Sequence, residues 1–200
     1  MLDILFQNPI VFVFLIGALV ISLSIHEFAH AYIATRLGDD TPKHLGRVTL
    51  DPRAHLDPLG TILLIVAGFG WGKPVPFNPI NLKNPKKDSA LIAIAGPASN
   101  FLLAGVLTVV YHIIGRESLL GVFLFFTIYY NLVLGVFNLV PLHPLDGFKV
   151  VRGFLPHNLV WQWDQVKQYG VFILMVLVFT RSIGLIISPI LGFFTRILGL

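Results

Sequence analysis

Cysteine is absent from the sequence, which excludes a disulfide framework, a thiolate zinc site and a cysteine nucleophile. Charge is scarce as well: Asp, Glu, Lys and Arg make up 12% of the residues against 56% hydrophobic, and mean hydropathy is +0.82. A water-soluble fold could not hide that much apolar surface. Internal repeats and low-complexity stretches are missing too, and the expectation is a single membrane domain, residues 1–200, with no soluble domain appended.

What the chain does have is long runs without charge. Ile4 to Thr35 holds only Glu27, while Ser89 to Gly115 and Ser118 to Leu145 hold no formally charged residue. Each exceeds the roughly 20 residues that cross a hydrocarbon core. A fourth run, Gln168 to Thr195, is interrupted by Arg181 and reads either as one tilted span or as a hairpin of two. The expectation is an all-α polytopic membrane protein of about four to six transmembrane helices. A cleaved signal peptide, mimicked by Ala29-His30-Ala31, fails because Met1 to Asn8 carries only Asp3 and the run is too long.

Position says more than the net charge of +4. Eight of the fourteen Lys and Arg fall between Arg36 and Lys87, so the positive-inside bias places that segment in the cytoplasm. The second span then returns outward and the third comes back in, which puts Lys149, Arg152 and Lys167 on the same side. A multi-pass protein of a prokaryotic cell membrane, its site toward the cytoplasm, is the expectation. These basic residues lack the aromatic interleaving of single-strand nucleic-acid binders, so no nucleic-acid partner is expected.

The segment between the first two spans is rich in Gly and Pro. Arg47 to Leu50 and Pro74 to Phe77 read as short extended pieces, which predicts a small membrane-associated β-hairpin or sheet. Pro58 to Gly72 is apolar but too short for a full span and reads as a re-entrant or interfacial element.

Residues 26–30 are His26-Glu27-Phe28-Ala29-His30, an HExxH pattern. On a helix, histidines at i and i+4 share a face and can both ligate zinc, leaving Glu27 to act as a base. With this composition the pattern arises by chance about 0.002 times per chain. Ionisable residues inside a span are costly and mark function; the bland reading is a satisfied polar cluster or a proton path, neither of which needs this spacing.

Catalytic zinc needs a third protein ligand. His112 lies at the wrong end of its span, and the inner end of the third span is the best remaining source: Asn138-Leu139-Val140-Pro141-Leu142-His143-Pro144-Leu145-Asp146-Gly147. There prolines break the helix at membrane depth, and spacing does not separate His143 from Asp146.

With both segments in hand, the chain resembles the site-2 protease family of intramembrane metalloproteases, in a short form without PDZ or CBS domain. The resemblance rests on HExxH early in the chain and on Asn138, Pro141 and Asp146-Gly147 more than a hundred residues later. It implies one zinc ion per chain held by His26, His30 and Asp146, with Glu27 as catalytic base. Gly96-Pro97-Ala98-Ser99-Asn100 is similar to the family's small-residue motif ending in Asn, and Gly70 to Pro79 resembles its membrane-associated hairpin.

The implied activity is hydrolysis of peptide bonds within or near transmembrane segments of membrane-protein substrates, with the lipid bilayer as surroundings. Asn100 or Asn138 is expected to donate to the developing oxyanion, and an extended piece at 47–50 or 75–77 to capture the unwound substrate by strand addition. Two other readings remain: a non-proteolytic zinc-binding relative, against which the retained Glu27 argues, and a transporter or channel, which would show paired broken segments in two halves.

Overall fold

The computed structural model describes residues 2–67 and 70–200; residues 68 and 69, inside the apolar run 58–72, lie outside the described residues. Helix α1 spans Leu2–Gln7 and α2 spans Pro9–Arg36. The start of α2 is written locally: the Asn8 side chain accepts from Val11 N, and Pro9 occupies the first helical position, where no N–H is needed. At 28 residues, α2 is about 42 Å long, ample for a bilayer core.

A short helix α3 (Thr41–His44) and the apolar α4 (Pro58–Ala67) follow, and then α5 (Pro85–Ile114) and α6 (Leu119–Asn138). The chain ends with α7 (Asp146–Phe154), α8 (His157–Phe179) and α9 (Ile183–Leu198). Helices α2, α5 and α6 are each long and apolar enough to cross a membrane; α8 and α9 add a fourth span only if the bent pair is taken as one. They meet at 76° across a break at 180–182, where Arg181 adopts a positive φ of 60°. The protein is thus a multi-pass membrane protein, with three or four candidate spans among the described residues, at or below the low end of the expected four to six.

Packing of the three long helices follows from residue size. Along α2 the residues Ala18, Ser22, His26, His30 and Ala34 recur every fourth position and are all buried. Small residues in that row let α5 come close through Ala93, Gly96, Pro97 and Asn100. A separate apolar core joins α5, α6 and α9 through Ala104, Ile128, Leu132 and Ile187. The outward faces carry Leu102, Ile113, Phe172 and Phe179 at 69–81% exposure, an apolar surface of the kind a bilayer covers.

The expected β-hairpin does not form: among the described residues there is no strand, only an isolated bridge between Leu56 and Gly72. The reason is local chemistry. Pro74 and Pro76 have no N–H for a ladder, and the carbonyls of Lys73 and Pro74 accept from the guanidinium of Arg47, the latter at 3.2 Å. Residues 70–78 form an irregular extended strap along α2. The stretch 47–50 is bent rather than extended, because Arg47 is turned inward and 96% buried.

Candidate metal centre

His26 and His30 sit one turn apart on the buried row of α2, and Asp146 opens α7 after the broken segment 139–145. Nε2 of His26 lies 3.1 Å from Oδ2 of Asp146, Nε2 of His30 lies 3.0 Å from the same oxygen, and the two nitrogens are 3.0 Å apart. All three residues are buried.

Their partners fix the tautomers. Nδ1 of His30 is 2.7 Å from the carbonyl of Ile92, which can only accept, so this nitrogen carries the proton. Asn100 donates from Nδ2 to the Ser22 carbonyl (3.0 Å), so its other amide atom is the oxygen, and it accepts from Nδ1 of His26 at 2.7 Å. In the neutral form of each imidazole the proton sits on Nδ1, so that both Nε2 atoms present lone pairs to a carboxylate oxygen. Three acceptors converging without a donor repel one another unless a cation lies among them. Ligands about 2.0–2.1 Å from a tetrahedral zinc would stand roughly 3.3 Å apart, a few tenths of an ångström from the separations seen. Histidines oriented by second hydrogen bonds are what a metal centre requires, and the residues present fit zinc.

Glu27, beside His26, is 9% exposed and accepts from the strap: Val75 N donates to its Oε2 at 3.0 Å. Both face a cavity of about 500 Å³, whose apolar walls include Leu19, Leu23, Leu64, Val133 and Phe137. His26, His30 and Asp146 line the same cavity, as does Asn138, whose Nδ2 donates to Leu134 O at 3.0 Å. Asn100 does not line it. Its second amide hydrogen goes to Oδ1 of Asn131 at 2.7 Å, so both hydrogens are committed and no donor remains for an oxyanion. His143 points elsewhere, edge-on to Phe148 with ring centroids 5.8 Å apart, and is not among the convergent ligands found in the described residues.

Close approach is itself encoded. A Cβ on Gly96 would lie 2.4 Å from Nε2 of His30 and 2.7 Å from Cε1 of His26, so no larger residue fits against the imidazoles. One on Gly147 would strike the Leu139 carbonyl at 2.3 Å, which ties the first turn of α7 to the end of α6.

Several positions at the site were not singled out from sequence. Asn131 donates to Ser22 Oγ (2.8 Å) and holds Asn100 in place; an amide two turns before Asn138 in a charge-free run is the signal that sequence offers. Asp39, fully buried just beyond α2, accepts from Thr41 N (3.1 Å), Thr41 Oγ1 (2.6 Å), Asn81 Nδ2 (2.7 Å) and Asn78 N (2.6 Å). Burial by itself would push its carboxyl up, but these hydrogen bonds win and hold it below the ordinary range. Asp39 and Arg47 together anchor the strap that reaches Glu27.

Comparison with known proteins adds an independent line. The model of peptidase family M50 matches residues 14–121 and 115–180. The chain is 43% identical over 188 residues to "Putative zinc metalloprotease YwhC" of Bacillus subtilis, covering 90% of this chain and 86% of that protein. It is 31% identical over 175 residues to "Putative zinc metalloprotease Rip2" of Mycobacterium tuberculosis, covering 84% and 67%. To "Zinc metalloprotease MJ0392" of Methanocaldococcus jannaschii it is 29% identical over 150 residues, covering 74% and 36%. No solved structure matches the chain.

Proposed function

The chain belongs to peptidase family M50, the site-2 proteases, and from that premise we propose how its own residues cut a membrane-embedded peptide. It is an intramembrane zinc metalloprotease, and the convergence of three acceptor atoms from His26, His30 and Asp146 is the observation that carries the assignment of its centre. Zinc held there would supply Lewis acidity, polarising the scissile carbonyl and lowering the pKa of water from 15.7 toward 7.

The remaining work falls to side chains of this protein. Glu27 takes a proton from the attacking water as the new C–O bond forms, and returns it to the amine as the C–N bond breaks. The Val75 N–H on Oε2 orients that carboxylate. Asn100 acts through His26, holding the imidazole with its lone pair toward the centre, and the Ile92 carbonyl does the same for His30. Asn138, on the cavity wall, stands within the space a substrate would fill. The largely apolar walls lower the local dielectric, which strengthens electrostatic contacts inside.

As an endopeptidase it acts on transmembrane protein substrates whose helix unwinds locally, because an intact helix hides its carbonyls. The ends of α2 and α6, the start of α5 and the basic loops lie together, which supports an active site toward the cytoplasmic face of a cell membrane. Incubating the purified protein in liposomes with a tagged single-pass substrate tests the reading. Wild type cuts, whereas Glu27→Ala and chelator-treated protein do not. Stoichiometric zinc without cleavage of any single-pass substrate would instead favour a zinc-binding relative that has lost proteolysis.

A further inference from the structure

The metal ligands, the base and the groups that orient them leave one charged residue of the cavity without a task. Lys149, on the first turns of α7, is the one ammonium or guanidinium among the described residues that line the cavity. Both imidazoles meet Oδ2 of Asp146, so Oδ1 is turned away from them, and Nζ of Lys149 stands 3.7 Å from Oδ1. That separation exceeds a hydrogen bond: the ammonium is drawn to the carboxylate but keeps its donors. On its other side it lies 5.7 Å from the ring centroid of Phe77, on the strap that also delivers Val75 N–H to Glu27. At 41% side-chain exposure, Lys149 spans the opening between α7 and the strap with a long, movable arm.

Peptide hydrolysis moves negative charge onto the former carbonyl oxygen as the C–O bond forms, and a donor waiting for that charge speeds the step. Asn100 has no hydrogen left for it, and Asn138 gives one of its own back to Leu134. A charge-assisted donor is roughly twice as strong as a neutral amide. We propose that Lys149 is a catalytic residue of this site, donating from Nζ to the substrate oxygen that becomes anionic as the tetrahedral intermediate forms. This rests on the metalloprotease reading above. The ammonium keeps its proton throughout, so the water proton still travels through Glu27 to the leaving amine.

The test compares wild type, Lys149→Met and Lys149→Arg in liposomes, measuring kcat, KM, bound zinc, zinc affinity by competing chelator, and affinity for a peptidyl phosphinate. The phosphinate carries an anionic tetrahedral centre in place of the scissile carbonyl. For Lys149→Met the expected result is a kcat loss on the order of a hundredfold, with unchanged KM and zinc affinity and a parallel loss of phosphinate affinity. Lys149→Arg restores part of both. Zinc affinity falling together with kcat would make Lys149 a mere counter-charge to Asp146 and overturn the proposal. So would a raised KM at constant kcat, or no change at all. A wild type that cuts nothing under any condition overturns the protease reading itself, and this inference with it.

Discussion

At the scale of single residues, the centre depends as much on what is small as on what ligates. A methyl group at position 96 would intrude on both imidazoles, so Gly96→Ala should lower bound zinc and abolish cleavage while the helical circular dichroism stays at the wild-type level. Gly105, nine residues further along α5, has nothing within 4 Å of its would-be Cβ. There the same change should leave zinc content intact and raise stability by up to about 1 kcal/mol, the helix preference of Ala over Gly. Asn100→Ala removes the acceptor that holds His26, and a chelator titration should show zinc affinity reduced by about 10- to 100-fold. A similar loss in Asn131→Ala would trace the effect through Ser22 and Asn131; unchanged affinity in both would remove Asn100 from the support of the centre.

At the scale of elements, α7 and the strap are the two pieces that must be brought to α2. Helix α7 is held by α8 through Arg152 and Asp164 (2.7 and 2.9 Å) and through Trp163 Nε1, which donates to Phe148 O at 3.0 Å. The strap is held by Asp39, whose folded-state pKa lies below the ordinary carboxylate value. Such a group contributes stability that is fully present above the unfolded value near 4 and is lost as pH falls through the lower folded one. Acidification below about pH 4 should therefore loosen the strap before the spans unfold, seen as faster proteolysis within residues 70–78 of the reconstituted protein. Asp39→Ala should produce that sensitivity at neutral pH and cost about 2–3 kcal/mol, because charged hydrogen bonds are lost and buried donors are left unpaired. Proteolysis rates equal to wild type at neutral pH would show that the strap is anchored elsewhere.

At the scale of the whole molecule, α2, α5 and α7 from distant parts of the sequence share one buried centre, so metal and fold are thermodynamically linked. Zinc that binds only the folded form should stabilise it by about 2.7 kcal/mol at a hundredfold excess over its dissociation constant. Thermal unfolding in detergent should accordingly shift upward with added zinc in wild type and not in Asp146→Ala. A transition that ignores zinc in both would place the ion's contribution outside the folding equilibrium.

How much of this the sequence determined divides along the range of the interactions involved. Membrane class, the three long spans, the His26-Glu27-His30 face and the breaking of the chain near Pro141 and Pro144 follow from composition and from spacings of a few residues, where geometry is set by one helix alone. The bent α8–α9 pair was ambiguous because Arg181, Gly184 and Pro189 weaken a helix without stating an angle. Extended pieces at 47–50 and 74–77 looked like a hairpin because periodicity records backbone preference and cannot reveal that a guanidinium takes the carbonyls. The choice between His143 and Asp146, the engagement of Asn100 by His26, and the placing of Lys149 against Asp146 and Phe77 belong to the tertiary structure alone. Each is decided by where helices far apart in sequence meet, and that is fixed by the small residues through which α2, α5 and α6 pack.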